Sequence, residues 1–292
     1  MMKRNYQNNR ALAVEILRGQ WLLHNPEAAL PAARSFLERS AVVTIGNEGK
    51  PALRAANASG EVFDIDTEDG AFPSQDRKVL IIPLHGVLTK YDNCIGCATQ
   101  EVADILAAYR DDDIVGGFIL DIDSPGGSSN AVMGMVGEII RTRESGKPII
   151  AHVDQCCSAA YWIASQCDAI YADNILSELG SIGAYVELFD DRTNAQTGER
   201  RIAVYAPQST DKNKAYRDAL DGDNQAMETE LSELVTVFQD AVKSGRPDLK
   251  ADADGVLSGA VFTAKKSIEL GLANAIADLG ACIEIVFAQI EE

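Results

Sequence analysis

Short apolar runs alternate with amphipathic stretches through most of this chain. Val79–Leu84, Gly117–Ile122, Pro148–Val153, Ala169–Ala172 and Ile182–Leu188 read as buried strands. Thr99–Tyr109, Ser128–Arg143 and Ser158–Gln166 lie between them with helical spacing. Such alternation predicts βαβ units, a mainly parallel sheet and right-handed crossovers. Further on, Met227, Leu231, Val235, Phe238 and Val242 recur three to four residues apart within Gly222–Ser244. That pattern predicts a long amphipathic helix, stopped by Gly245 and Pro247.

The pattern is different upstream. Residues 6–40 carry helical apolar spacing (Leu12, Val14, Ile16, Leu17, then Ala28–Leu37 after Asn25-Pro26), so residues 1–45 are expected to be a helical arm. Residues 46–77 turn to Gly, Asn, Ser, Asp and Glu with little periodicity and read as a linker or long loop. The α/β domain is expected over residues 78–292.

Composition narrows the function classes. The 292 residues are 46% hydrophobic and 24% charged, which suits a soluble globular domain. A net charge of −18 argues against nucleic acid as a partner, because phosphate binding needs clustered Lys and Arg. No apolar run approaches the ~18 residues of a membrane span, and the N-terminus has no continuous apolar core or small-residue cleavage site. A cytoplasmic protein without signal peptide or anchor is expected. Among six cysteines, Cys94 and Cys97 form a lone C-x-x-C. With His24, His85 and His152 scattered, no metal site is expected, and the cysteines read as free thiols.

Candidate chemistry gathers where two strands end. Asp123–Gly127 reads DSPGG: Pro125 stiffens a turn, and Gly126 and Gly127 let a ligand approach backbone N–H groups beside a helix start. Val153–Ser165, VDQCCSAAYWIAS, sets Ser158 among small residues at a strand-to-helix turn. Each has a plainer reading, as a βα turn and as a helix N-cap. Together they are two parts of an acyl-transfer site: an oxyanion hole and a hydroxyl nucleophile.

A base completes such a site. His85 closes a strand, His152 lies within one, and no histidine follows Ser158 as a Ser…Asp…His order would need. A lysine base is the alternative. Its pKa must fall from about 10.4 to roughly 7–8, about 4 kcal/mol, which requires burial. Lys212 and Lys214, after the strand-like Ile202–Tyr205, are the candidates, with Lys78 and Lys90 behind them.

DSPGG, CSAAYWIA, GSIG (Gly180–Gly183), a lysine segment and GAVFTAKKSIELGLANAIADLG follow one another over roughly Lys78 to Gly280. This succession resembles the signal peptide peptidase A family of Ser/Lys peptidases, in the branch of phage prohead (capsid maturation) proteases. The resemblance implies a ClpP/crotonase-like α/β fold, a homo-oligomer and no cofactor. It implies Ser158 as nucleophile, Lys212 (alternatively Lys214) as general base, and Gly127 with the Ser158 backbone N–H as oxyanion hole. Gly126 would shape the turn, and Ser181 with Gly180 would line the site. Cys157 stands where the family usually has Ala, one residue out of register for a cysteine nucleophile. An extended polypeptide is the implied substrate, and phage scaffold or coat proteins are the implied partners. A signal-peptide-degrading peptidase lacking an anchor, and a non-catalytic assembly module of the same fold, are the alternatives.

Overall fold

The computed structural model describes residues 21–23, 52–65, 72, 74–91, 96–188, 190, 192–193, 197–200 and 202–290. Trp21–Leu23, within the helical arm expected over residues 1–45, form a strand and not a helix; the rest of that arm lies outside the described residues, as does Cys94.

Three long parallel strands form the centre: β4 (Lys78–His85), β7 (Val115–Ser124) and β9 (Ile149–Cys157). The earlier strands are β1 (Trp21–Leu23), β2 (Arg54–Ala56) and β3 (Val62–Asp64). Two more, β5 (Val87–Thr89) and β6 (Gly96–Ala98), follow β4, and β8 (Gly126–Ser128) follows β7. Downstream come β10 (Ala169–Ala172), β11 (Glu178–Gly180), β12 (Val261–Thr263) and β13 (Ala275–Ile276). The main sheet runs β12-β11-β9-β7-β4-β2-β3, with β10 pairing β9 and β13. A four-stranded sheet runs β1-β8-β5-β6.

Side chains of the central strands alternate between two apolar layers, as a pleat requires. Leu80, Ile82, Leu84, Phe118, Leu120, Ile122, Ile149, Ala151 and Val153 enter the larger core. It also takes buried residues of α1 (Thr99–Tyr109), α2 (Val132–Glu144), α3 (Ala159–Ala164), α5 (Gln225–Gly245) and α6 (Ala264–Leu270). The helix α4 (Lys214–Leu220) buries none of its residues. On the opposite face Val79, Ile81, Ile119 and Ile150 meet Cys282, Ile283 and Val286 of α7 (Leu279–Ile290). Burial on both faces is why β4, β7 and β9 read as continuous apolar runs.

Four expectations change. The region 46–77 is not all linker: β2 and β3 form a hairpin on β4, with Leu53, Ala55, Ala56 and Ile65 buried. The strand expected at Ile182–Leu188 is displaced to Glu178–Gly180, where Gly180 pairs Cys157 of β9. Ile202–Tyr205 forms no strand, and Ile202 and Val204 are 81% and 90% exposed. Ser128 does not open a helix; it ends β8, and a 3-10 turn over Ser129–Ala131 precedes α2.

Where the second face approaches the C-terminal strand ends, apolar residues give way to a charged chain. Asp121 Oδ2 accepts from Arg54 Nη2 (2.7 Å), and Asp121 Oδ1 lies 2.9 Å from His152 Nδ1. His152 Nε2 lies 3.0 Å from Asp173 Oδ1. Burial alone would raise the Asp121 carboxyl, but bonding to His152 and His85 and their charges hold it well below the usual carboxylate range. Burial alone would lower the pKa of His152; bonding to Asp121 and Asp173 and their charges outweigh it and raise it.

The sign follows by linkage. His152 contributes stability that is complete below its unfolded value of about 6.5 and disappears as pH climbs through the raised folded value. Asp121 contributes fully above about 3.9 and loses its share as acid reaches the depressed folded value. Thermal melts of the parent and of His152→Gln are therefore expected to differ most below the ordinary histidine value of about 6.5, with the gap shrinking as pH climbs through the raised folded value. A gap independent of pH would show that His152 is not charged in the folded chain.

Candidate active site

Ser158 follows the C-terminal end of β9 with φ 55° and ψ −119°, a conformation that glycine tolerates and L side chains resist. Its N–H donates to the Gly180 carbonyl at 2.8 Å, and its carbonyl accepts from Trp162 N–H at 2.9 Å. The hydroxyl makes no capping bond to α3, which removes the plain N-cap reading. Instead Oγ donates over 3.4 Å to the carbonyl of Gly183. The residue is 1% exposed.

Packing fixes this turn from below. Trp162 stacks on Phe238 of α5 (centroids 4.7 Å apart, planes 7° apart), and Tyr161 Oη donates to the Leu272 carbonyl at 3.0 Å. The whole of α3 is buried. Backbone strain persists only where surrounding structure enforces it, and it concentrates at functional positions. Among the described residues three non-glycines have positive φ: Ser158, Ser181 and Asn213. The first two belong to the expected site, and the third separates Lys212 from Lys214.

The DSPGG turn is held as firmly. Ser124 Oγ donates to the Gly86 carbonyl at 2.6 Å and accepts from Gly126 N–H at 3.1 Å. Gly127 lies so close to β5 that a Cβ there would stand 2.0 Å from the Leu88 carbonyl oxygen. Next along β8, Ser128 Oγ is buried without a hydrogen-bond partner among the described residues.

Ser181 continues from β11, and its N–H donates to the Ala260 carbonyl at 2.8 Å. The four candidate lysines lie in different parts of the fold. Lys212 sits in an exposed turn, its N–H 3.3 Å from the Ser209 carbonyl. Lys214 opens α4, is 56% exposed and pairs with Asp218; that bond is the main reason its pKa is raised. A base needs the opposite shift. Lys78 is buried at the N-terminal end of β4, bonded to Ser74 Oγ (2.9 Å) and the Asp76 carbonyl (2.6 Å), so it sits at the far end of the sheet from Ser158. Lys90 lies 5.2 Å over the Tyr91 ring, just beyond β5.

Residues 141–286, half of the sequence, match peptidase family S49. The chain belongs to peptidase family S49. The head-tail preconnector protein GP5 of Enterobacteria phage P21 is 30% identical over 203 residues, 68% of this chain and 38% of that protein. Protease 4 of Haemophilus influenzae is 28% identical over 62% of this chain and 30% of its own length. The chain thus spans well under half of either relative. A solved 1510-N membrane-bound stomatin-specific protease with a substrate peptide aligns over 72% of this chain and 79% of that one, at 17% identity and a TM-score of 0.44.

Within this S49 chain, Cys157 is no rival to Ser158. Burial, then the Glu178 charge, push its thiol up to about 12, far from the thiolate a nucleophile needs. His85 and His152 both engage Asp121. One expectation about the oxyanion hole is corrected, because the Ser158 amide is taken by Gly180. The next amide, Ala159, is the first of α3 and has no partner within the helix. Two residues of the quoted motifs have no role of their own in the sequence reading: Gly183, whose carbonyl accepts from the Ser158 hydroxyl, and Ser124, which clamps the turn. Among the described residues no His, Cys, Asp and Glu are grouped to hold a metal, and no helix is long and apolar enough to cross a membrane.

Proposed function

We propose that this chain is a serine endopeptidase, with Ser158 as nucleophile and Lys212 as general base. The observation that carries it is the Ser158 turn: a strained, buried serine after a central parallel strand, its hydroxyl capping nothing, in an S49 chain. Neutral Lys212 Nζ takes the Oγ proton as Oγ attacks the scissile carbonyl. Gly127 and Ala159 amides meet the developing oxyanion, each worth about 2.7–4 kcal/mol. The lysine returns the proton to the leaving amine, and water then cleaves the acyl-enzyme.

Lys212 is exposed and Ser158 is buried, so the dyad forms when the Lys212 segment is drawn in against the Ser158 turn. Ile202 and Val204, in the same segment, expose apolar surface that another molecule would cover. Assembly of copies of this chain would bury that segment and supply the desolvation that lowers a lysine pKa. The phage relative is a head-tail preconnector protein, which supports testing first the phage scaffold or coat polypeptides that the family resemblance implies.

Purified chain and its Ser158→Ala, Lys212→Ala and Lys214→Ala variants, incubated with casein and followed by intact mass, test this. Ser158→Ala and Lys212→Ala are expected to lose on the order of 10³-fold or more. Lys214→Ala is expected to stay within a few-fold of the parent. Cleavage that survives Ser158→Ala would remove the nucleophile assignment. Loss in Lys214→Ala alone would transfer the base.

A further inference from the structure

A strand has two edges, and β8 carries the Gly126–Gly127 turn on both. Leu88 of β5 faces one of them at Gly127. The other is filled by β1, antiparallel, with Trp21 opposite Ser128, Leu22 opposite Gly127 and Leu23 opposite Gly126. In the order β1-β8-β5-β6, β1 is the outer strand, and without it β8 would be the open edge. An open edge pairs with any extended chain through its backbone groups. It is the edge at which a polypeptide could lie along the turn proposed to bind the oxyanion.

We infer that Trp21–Leu23 is an autoinhibitory strand, the chain's own occupant of the edge where substrate binds. This rests on reading β8 as the substrate edge of the proposed peptidase. Charge supports an intramolecular occupant. Residues 1–25 carry four basic side chains (Lys3, Arg4, Arg10, Arg18) and one acidic one (Glu15), in a chain of net charge −18. The segment is thus drawn to the acidic remainder of its own chain. A polypeptide competing for β8 must displace it. If the strand is docked nine-tenths of the time, apparent affinity falls about tenfold, because only the open fraction binds.

The test uses the full chain with Ser158→Ala, so that nothing is cut, with and without Leu22→Pro/Leu23→Pro. Successive residues of a strand aim their N–H groups at opposite edges, so one of the two prolines removes a donor facing β8 whichever way the strand sits. The probe is a fluorescent peptide with the sequence of residues 17–27, followed by anisotropy. The proline chain is expected to bind it at least about tenfold more tightly than the chain with intact β1. Equal affinity, or no binding to a proline chain that melts like the parent, would overturn the strand assignment. Hydrogen exchange of the intact chain is the second measurement: unprotected amides over Gly126–Ser128 would overturn it whatever the prolines do. A fluorophosphonate applied to the Leu22→Pro/Leu23→Pro chain bearing Ser158, in which the edge is open, is read separately. An unlabelled Ser158 there, beside a tenfold binding shift, would sink the peptidase reading and leave the strand's occupation of the edge in place.

Discussion

Ser158→Gly is expected to melt above the parent chain while cleaving nothing. The parent holds an L side chain at φ 55°, ψ −119°, and such a conformation stores about 1–3 kcal/mol. Glycine adopts it freely, but returns about 0.5–1 kcal/mol through the greater freedom of the unfolded chain. A net gain of about 1 kcal/mol remains, worth about 2–4 °C in a domain of this size. Ser158→Ala keeps the Cβ and the strain, so it is the reference: it loses the hydroxyl without the stability. Both variants lose peptidase activity, on the order of a million-fold where a nucleophile is removed. Differential scanning calorimetry of the three chains decides the point. A Ser158→Gly chain melting below Ser158→Ala would mean that the turn carries no strain. Stability traded for a positioned hydroxyl is the signature of a working site.

The parts of the fold that were legible are those where one physical rule dominates. Burial on both faces made β4, β7 and β9 visible as apolar runs, and α1 was visible from its spacing to the residue. The β2–β3 hairpin was not visible, because two of its buried positions are alanines, Ala55 and Ala56, whose small side chains leave little periodic signal. Ile202–Tyr205 misled for the opposite reason. Its apolar alternation is real, but its Ile and Val stand exposed. Periodicity reports which residues seek cover and not whether their own chain provides it.

The site divides along the same line. Ser158 could be singled out as a candidate because small residues cluster round it and DSPGG precedes it. Which amide stays free could not, since that depends on the register of β11: Gly180 pairs Cys157, and its carbonyl takes the Ser158 N–H. Nor could β1, a three-residue strand paired with residues more than a hundred positions on. Short non-local pairings carry almost no local signature. Lys212 is the remaining case. Its place in the sequence singles it out, but the folded chain leaves it in an exposed turn. The burial that its role requires would have to come from contacts beyond this chain's own fold.

Gly127→Ala is expected to damage stability and activity together, unlike an alanine elsewhere. A Cβ at 127 would lie 2.0 Å from the Leu88 oxygen and 2.6 Å from its carbon and nitrogen. These are backbone atoms of a paired strand, so β5 and β8 must separate. Forcing an atom into such packing costs about 1–3 kcal/mol. Separation also moves the Gly127 amide from its proposed oxyanion position, for which a loss of about 10²–10³ in kcat is expected. Gly134, inside α2, is the control. Its nearest neighbour to an added Cβ is Gln100 Oε1 at 3.8 Å, so alanine there meets no clash and gains about 0.5–1 kcal/mol of helix preference. One substitution type thus has opposite signs at two glycines seven positions apart. Urea melts and casein cleavage of both variants check it. If Gly127→Ala kept full activity, the turn would be a packing device and the oxyanion donors would have to be sought elsewhere. Lost activity at a stability close to the parent's would instead separate the amide's chemical role from its place in the sheet.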